Sequence, residues 1–349
     1  MNMIQIGIEH EFVFKDNKGN YIDFETADCS VFQKMANDFP YSEGNDAVFE
    51  CKSLEKRPKR CYVEGFERYN LSGEVTKTIP KGLEIRTLPH ENADDVINDF
   101  VESYTYTMKI ANKFGFSPLL TSMHPFKTAV VMKESFNDTE IALRTEEQLA
   151  VATNALLWHG LHVNVSMSHL SREEMTDLVQ KVNYYTPYII PFSFSSPFYN
   201  GRAFEGLSCR AYLKAKTRKA VELQNRNGVD VLEFRGYDSC GDATLLKSLI
   251  LLFKGLLLDE TLKKRAVFQD PEILEQCALK GFEDETIRQE TLYILQAVKN
   301  TMKEEKNTWE YLQKMLLAND SYAARMKQDY QKTGDIMQCI SNRYCYGVQ

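Results

Sequence analysis

Four short segments of this 349-residue chain carry polar side chains at every second position, and that alternation constrains the fold more than any other feature. They are Gly7-Ile8-Glu9-His10-Glu11-Phe12, Leu83-Glu84-Ile85-Arg86-Thr87-Leu88-Pro89, Leu161-His162-Val163-Asn164-Val165-Ser166, and the stretch from Val229 through Leu232-Glu233-Phe234-Arg235 to Asp238. Side chains alternate between the two faces of a β-strand, so each segment reads as a strand with one polar and one apolar face. Glu9 then shares a face with Glu11, Glu84 with Arg86, His162 with Asn164 and Ser166, and Glu233 with Arg235. Side by side in one sheet, these strands can line a concave surface with carboxylates, an imidazole and guanidinium groups. Like charges at the spacing of Glu9 and Glu11 repel unless a proton or a cation lies between them, and hard oxygen donors suit Mg2+ or Mn2+. Taken singly, each segment also fits a wet sheet face whose ion pairs contribute little, and a lone histidine such as His162 is often structural.

Asp16–Asn20 is a cluster of turn formers, after which Tyr21–Phe24 can return as the hairpin partner of the first strand. Residues 28–39 suggest a short helix, while 44–61, which include Glu50, are ambiguous and the basic run Lys56–Arg60 reads as a solvated loop. Tyr62–Tyr69 and Glu74–Ile79 read as strands flanking Ser72-Gly73. Asn92, followed by Asp94 and Asp95, opens a helix whose stripe of Val96, Phe100, Val101, Tyr104, Met108 and Ala111 ends before Gly115. A helix is expected from Thr145, with Gln148 in capping-box position, to Leu157, and another from Ser171 with Glu174, stopped by Pro187. The stretch from Pro191 to Arg210 is rich in small hydroxyl residues and glycine. Its arginines, Arg202 and Arg210, can face an anion or simply meet water on a surface loop. Beyond Asp242 the pattern is helical, over 243–265, 271–280, 284–303 and 305–332.

Composition narrows the function. Lys plus Arg total 42 against 49 Asp plus Glu, a formal charge of -7, with no clustered basic face of the kind that nucleic acid requires. The eight cysteines form no CxxC pair and no signal peptide precedes Ile4, which fits reduced thiols in a cytoplasm. Leu245–Leu258, the most apolar stretch, is too short to span a bilayer and reads as a core helix, so no membrane partner is expected. A chain of this length fits one catalytic domain over 1–349, with a sheet-forming core over 1–242 and a helical extension over 243–349.

Six motifs, in order, resemble those of the glutamate-cysteine ligase type 2 family, carboxylate-amine ligases of the glutamine synthetase superfamily. They are Gly7–Phe12, Leu83–Pro89, Gly160–Val165, Ser195–Arg202, Gly206–Arg210 and Leu232–Arg235, and the resemblance runs from residue 4 to about 240. It implies an α+β fold: an antiparallel sheet curved into a half-barrel of the glutamine synthetase/guanido kinase type, covered by helices, with a helical C-terminal part. It also implies ATP and Mg2+, or Mn2+, at the concave face. There a carboxylate, usually the glutamate side chain, becomes an acyl phosphate that an amine attacks. Carried over by position, Glu9, Glu11, Glu84, His162 and Glu233 would be metal ligands. Arg235, Arg202 and Arg210 would hold phosphates or the substrate carboxylate during catalysis, with Arg86, Asn164 and Ser196 beside Arg235 on the nucleotide. The chain departs from the pattern at Asn164, where many relatives have a second histidine, and at Lys77, Thr78 and Lys81, where some superfamily members have a further acid. The expected partners are a small carboxylate and an amine, with self-association left open. The alternatives are a small-molecule phosphotransferase on the same fold and a non-catalytic nucleotide-binding regulator.

Overall fold

The alternating segments come together as one antiparallel sheet in the computed structural model, which describes residues 4–40, 60–146, 149 and 153–346. β1 (Ile4–Lys15) turns into the short β2 (Tyr21–Ile22), and β3 (Cys61–Tyr69) and β4 (Val75–Arg86) form a hairpin. β5 (Ser117–Leu119) and β6 (Leu161–Met167) follow, and β7 (Phe198–Tyr199) with β8 (Arg202–Ala203) makes a separate two-stranded hairpin. β9 (Val221–Arg226) and β10 (Val229–Tyr237) complete the set. The strand order is β3-β4-β1-β6-β10-β9, with β2 and β5 paired to β1 outside this path, and the sheet curls into a half-barrel carrying helices. The acidic N-terminal strand therefore lies in the middle. In its register Glu9 stands opposite Arg86 on one side and His162 on the other, Glu11 stands opposite Glu84, and Glu233 lies between Asn164 and Glu222.

The apolar face is the other half of the same alternation. Ile8, Phe12, Leu83, Ile85, Leu161, Val163, Val165, Leu232 and Phe234 are buried in one core cluster with residues of the later helices, among them Leu245, Leu249, Leu252 and Leu256. The helix Ala243–Leu258 is apolar on nearly every side and is accordingly buried. Each fully buried leucine contributes roughly 1.5–3 kcal/mol of transfer free energy. Asp242 caps this helix, accepting from the Leu245 N–H at 2.8 Å, while its second oxygen accepts from the Tyr322 hydroxyl at 2.7 Å. Among the described residues no helix is long and apolar enough to cross a membrane.

Several local expectations are corrected. The strands expected at Glu74–Ile79 and Leu83–Pro89 are one strand, Val75–Arg86, because β4 absorbs Pro80 and Lys81 in a bulge instead of breaking. Pro187 lies inside the helix Arg172–Ile189, within its last turn, where a missing N–H costs a single bond. The first C-terminal helix stops at Leu258, and the predicted 305–332 helix divides into Lys306–Ala318 and Tyr322–Thr333. The break falls at Asn319, which takes a left-handed conformation (φ 48°), and Ser321 then caps the second helix. β9 was not anticipated, although Asn227-Gly228, with φ of 52° and 84°, forms the tight turn that joins it to β10. Glu50, residues 56–59 of the basic run and part of the helix expected from Thr145 lie outside the described residues.

Candidate active site

The polar face of the sheet opens on a cavity of about 910 Å3. Glu9, Glu11, Glu84, His162 and Glu233 all line it, as do Arg86, Asn164, Arg210 and Arg235. Arg202 and Ser196 do not. Arg202 is exposed on the β7–β8 hairpin. Ser196 is fully buried, its hydroxyl donating to Asp238 Oδ2 at 2.8 Å and lying 3.1 Å from Ser208 Oγ. The Ser195 N–H takes the same Asp238 oxygen at 3.0 Å, so this carboxylate pins the serine-rich loop from beneath. Arg210 reaches the cavity edge but is 2% exposed. Its guanidinium donates to the Arg235 carbonyl at 3.0 Å and lies 3.4 Å from the Gly236 carbonyl and from Asp238, a clamp on the end of β10. Gly160 makes room for it, since a Cβ there would lie 2.4 Å from Arg210 Nη2.

Among the described residues two acidic centres line the cavity. In the first, His162 Nδ1 lies 3.3 Å from Glu9 Oε2 and 3.4 Å from Glu233 Oε1, and the three ligand atoms fall within 4.8 Å of one another. Arg226 closes the group, donating to Glu9 Oε1 and to Glu233 Oε2 at 2.9 Å each. Burial would raise the pKa of Glu9, but Arg86, His162 and Arg226 outweigh it and hold the carboxyl well below the usual range. Glu233 is likewise lowered against burial, by Arg235 at 2.7 Å and by His162. In the second centre, oxygens of Glu11, Glu64 and Glu84 come within 4.8 Å of one another. The Tyr62 hydroxyl donates to Glu84, and Arg86 stacks over the Tyr62 ring at 4.3 Å while pairing with Glu84 at 3.2 Å. Lys81 Nζ donates to Glu11 at 2.9 Å, and that ammonium outweighs burial to bring the Glu11 pKa down to about 2.

The same cavity also has basic lining groups. Arg235 bridges Glu233 and Glu222, the latter at 2.9 Å, and Lys214 and Arg218 stand over the Trp158 ring at 5.7 and 5.9 Å. Burial, reinforced by Arg210 and Arg218, pushes the Lys214 ammonium well below its ordinary pKa, a shift that an anion bound beside it would oppose. His10, between Glu9 and Glu11 in sequence, points away into the core. Its Nε2 accepts from the Cys240 N–H at 3.1 Å, its ring stacks on Phe12, and burial lowers its pKa to about 4, which keeps it neutral.

Sequence reasoning did not single out Tyr62, Glu64, Lys214, Trp158, Arg218, Glu222 or Arg226. For Arg226 and Glu222 the Asn227-Gly228 hairpin signal was available. Lys214 and Arg218 enter from the helix Cys209–Lys214 and the turn after it, where no local pattern marks them.

A curled antiparallel sheet whose polar face gathers carboxylates, one imidazole and a basic rim defines the class of folds seen in the glutamate-cysteine ligases and glutathione synthetases. The family model of glutamate-cysteine ligase family 2 matches residues 5–220, more than half of the chain, and the chain belongs to that family. A Jannaschia sp. (strain CCS1) protein with the provisional name glutamate–cysteine ligase 2 is 29% identical over 92 residues, which are 26% of this chain and 23% of that relative. Among solved structures, the bifunctional glutathione synthetase from Pasteurella multocida superposes with a TM-score of 0.62 at 13% identity, over 97% of this chain and 51% of that one. The glutamate–cysteine ligase of Francisella tularensis, solved in complex with AMP, gives 0.57 at 12% identity over 97% and 87% of the two chains. At these identities the structural likenesses establish the fold. The chain spans about half of the glutathione synthetase, and its match to the curated relative covers less than a quarter of that protein.

Proposed function

We propose that the protein is an ATP- and Mg2+-dependent ligase that joins an amino-acid carboxylate, the glutamate side chain being the leading candidate, to an amine through an acyl phosphate. The observation that carries this reading is one cavity whose lining holds both a cation-seeking group, Glu9, His162 and Glu233, and the basic side chains Arg235, Lys214 and Arg218. Two carboxylates and an imidazole fit a divalent ion such as Mg2+ or Mn2+, and the lowered pKa values of Glu9 and Glu233 keep their oxygens charged and ready to coordinate. When bound, such an ion neutralises phosphate oxygens.

The chain's own groups do the rest. A carboxylate resists attack by amines because its oxygen leaves poorly, so it must first be phosphorylated. The substrate oxygen attacks the γ-phosphorus and ADP departs; the amine nitrogen then attacks the acyl carbon and inorganic phosphate departs. Arg235, with its fork set by Glu233 and Glu222, would meet charge developing on the transferred phosphoryl group. Lys214 and Arg218 would orient the anionic end of the donor, and the Trp158 ring packs beside them. The amine-binding groups belong to loops whose residue types name no particular acceptor. Hydroxylamine tests the scheme without knowledge of the natural amine. With ATP, Mg2+ and the right acid, a hydroxamate should form together with ADP; a stable phosphorylated product and no hydroxamate would make the protein a phosphotransferase instead.

A further inference from the structure

Lys81 is the extra residue of the β4 bulge, and the bulge aims its side chain into the acidic wall. On β3, Glu64 pairs with Gly82 and Gly65 pairs with Pro80, which leaves Lys81 without an opposite residue. Bulges of this kind redirect the extra side chain relative to the strand's alternation. The neighbouring residues are those such a bulge needs. A Cβ on Gly65 would lie 2.0 Å from the Ile79 carbonyl oxygen, and one on Gly82 would lie 1.9 Å from that of Phe12. Only glycine lets the backbones close that tightly, and Pro80 has no N–H to leave unpaired.

The redirected ammonium is fully seated. Nζ donates to Glu11 Oε1 at 2.9 Å, to the Ala155 carbonyl at 3.1 Å and to the Trp158 carbonyl at 2.7 Å, which uses all three of its N–H groups. It also lies 4.0 Å from Glu64 Oε1, and its side chain is only 5% exposed. Two of its three acceptors are backbone carbonyls of the turn at 155–158, so the seat is built by the scaffold and not by the acids alone. Glu11, Glu64 and Glu84 would otherwise be a three-carboxylate set of the sort that holds a hard divalent ion.

We propose that the Lys81 ammonium fills the cation position at Glu11, Glu64 and Glu84, so that this group takes no divalent metal and, among the described residues, Glu9, His162 and Glu233 alone hold one at the sheet. The second half rests on the ligase reading above; the first half does not. A built-in cation brings one positive charge where a divalent ion brings two, and it cannot coordinate a phosphate oxygen. The residue thereby sets how many metal ions the cavity uses.

The test counts Mn2+ alone, without nucleotide, by electron paramagnetic resonance titration of the full chain. The wild-type protein should bind one ion tightly, and Lys81→Met, which is one atom shorter and carries no charge, should bind one more. Glu64→Gln in the otherwise wild-type chain should leave the count unchanged. A wild-type count of two, an ion lost in Glu64→Gln, or no gain in a Lys81→Met protein whose circular dichroism shows it folded would each overturn the proposal. Should Lys81→Met fail to fold, Glu64→Gln decides alone. No ion in the wild type with one in Lys81→Met would uphold the Lys81 assignment and refute the metal site at Glu9, His162 and Glu233.

Discussion

Replacing Glu9 by glutamine keeps the shape of the side chain and removes one of the two carboxylates around His162. Two effects of different size follow. Without metal, Arg226 loses its 2.9 Å contact to Glu9 but keeps Glu233, and Arg86 loses a 3.7 Å contact but keeps Glu84 at 3.2 Å. Breaking a buried pair outright costs about 3–5 kcal/mol. Here both guanidiniums retain a partner and Arg226 is one-third exposed, so solvent screening brings the loss nearer to about 1–2 kcal/mol. The effect on metal should be larger. Disturbing only the outer partners of a ligand typically weakens metal binding about 10–100-fold, so at the proposed site of Glu9, His162 and Glu233 deleting a charged ligand should cost at least about 100-fold, or roughly 2.7 kcal/mol. Calorimetric titration with Mn2+ reads the second effect and thermal unfolding reads the first. A Glu9→Gln protein that binds Mn2+ within about threefold of the wild type would refute the reasoning, whatever its melting temperature.

Other expectations follow from the same geometry. The Glu11 pKa, depressed to about 2 from 4.5, contributes stability that is fully present above about pH 4.5 and is lost as pH falls toward 2, so the stability gap between wild type and Glu11→Gln should narrow on acidification. A gap measured by urea unfolding that stays constant between about pH 6 and pH 3 would contradict this. On the proposed function, in which the Arg235 guanidinium would meet charge that develops during transfer, Arg235→Ala should lower turnover more than it weakens ATP binding; equal losses in steady-state kinetics and nucleotide calorimetry would argue for ground-state binding instead. Gly82→Ala drives a methyl into the Phe12 carbonyl and should cost at least about 1–3 kcal/mol in chemical unfolding, whereas a neutral result would mean that β1 and β4 part easily.

How far this site could be read in the sequence depended on period. Glu9, Glu11, Glu84, His162 and Glu233 were legible because strict alternation puts each on a known face, and the register of three adjacent strands then aligns Arg86, Glu9 and His162. Lys81 shows the limit of that logic. Counting by twos back from Glu84 puts it on the apolar face with Leu83, and only the bulge opposite Glu64 and Gly65 turns it into the cavity. Ser196 fails for another reason: its hydroxyl is consumed by Asp238, which lies beyond the reach of any local pattern. The helical C-terminal part was legible as helix from its leucine stripes. Its breaks were not, since the one at Asn319 depends on a single left-handed residue.

The acyl phosphate is the centre of this account, and oxygen transfer probes it most directly. Glutamate labelled with 18O in its side-chain carboxylate would be incubated with the protein, ATP, Mg2+ and hydroxylamine, and the released phosphate examined by mass spectrometry. The account predicts that each phosphate carries one 18O taken from the carboxylate, in step with hydroxamate formed. Turnover to hydroxamate with unlabelled phosphate would contradict it.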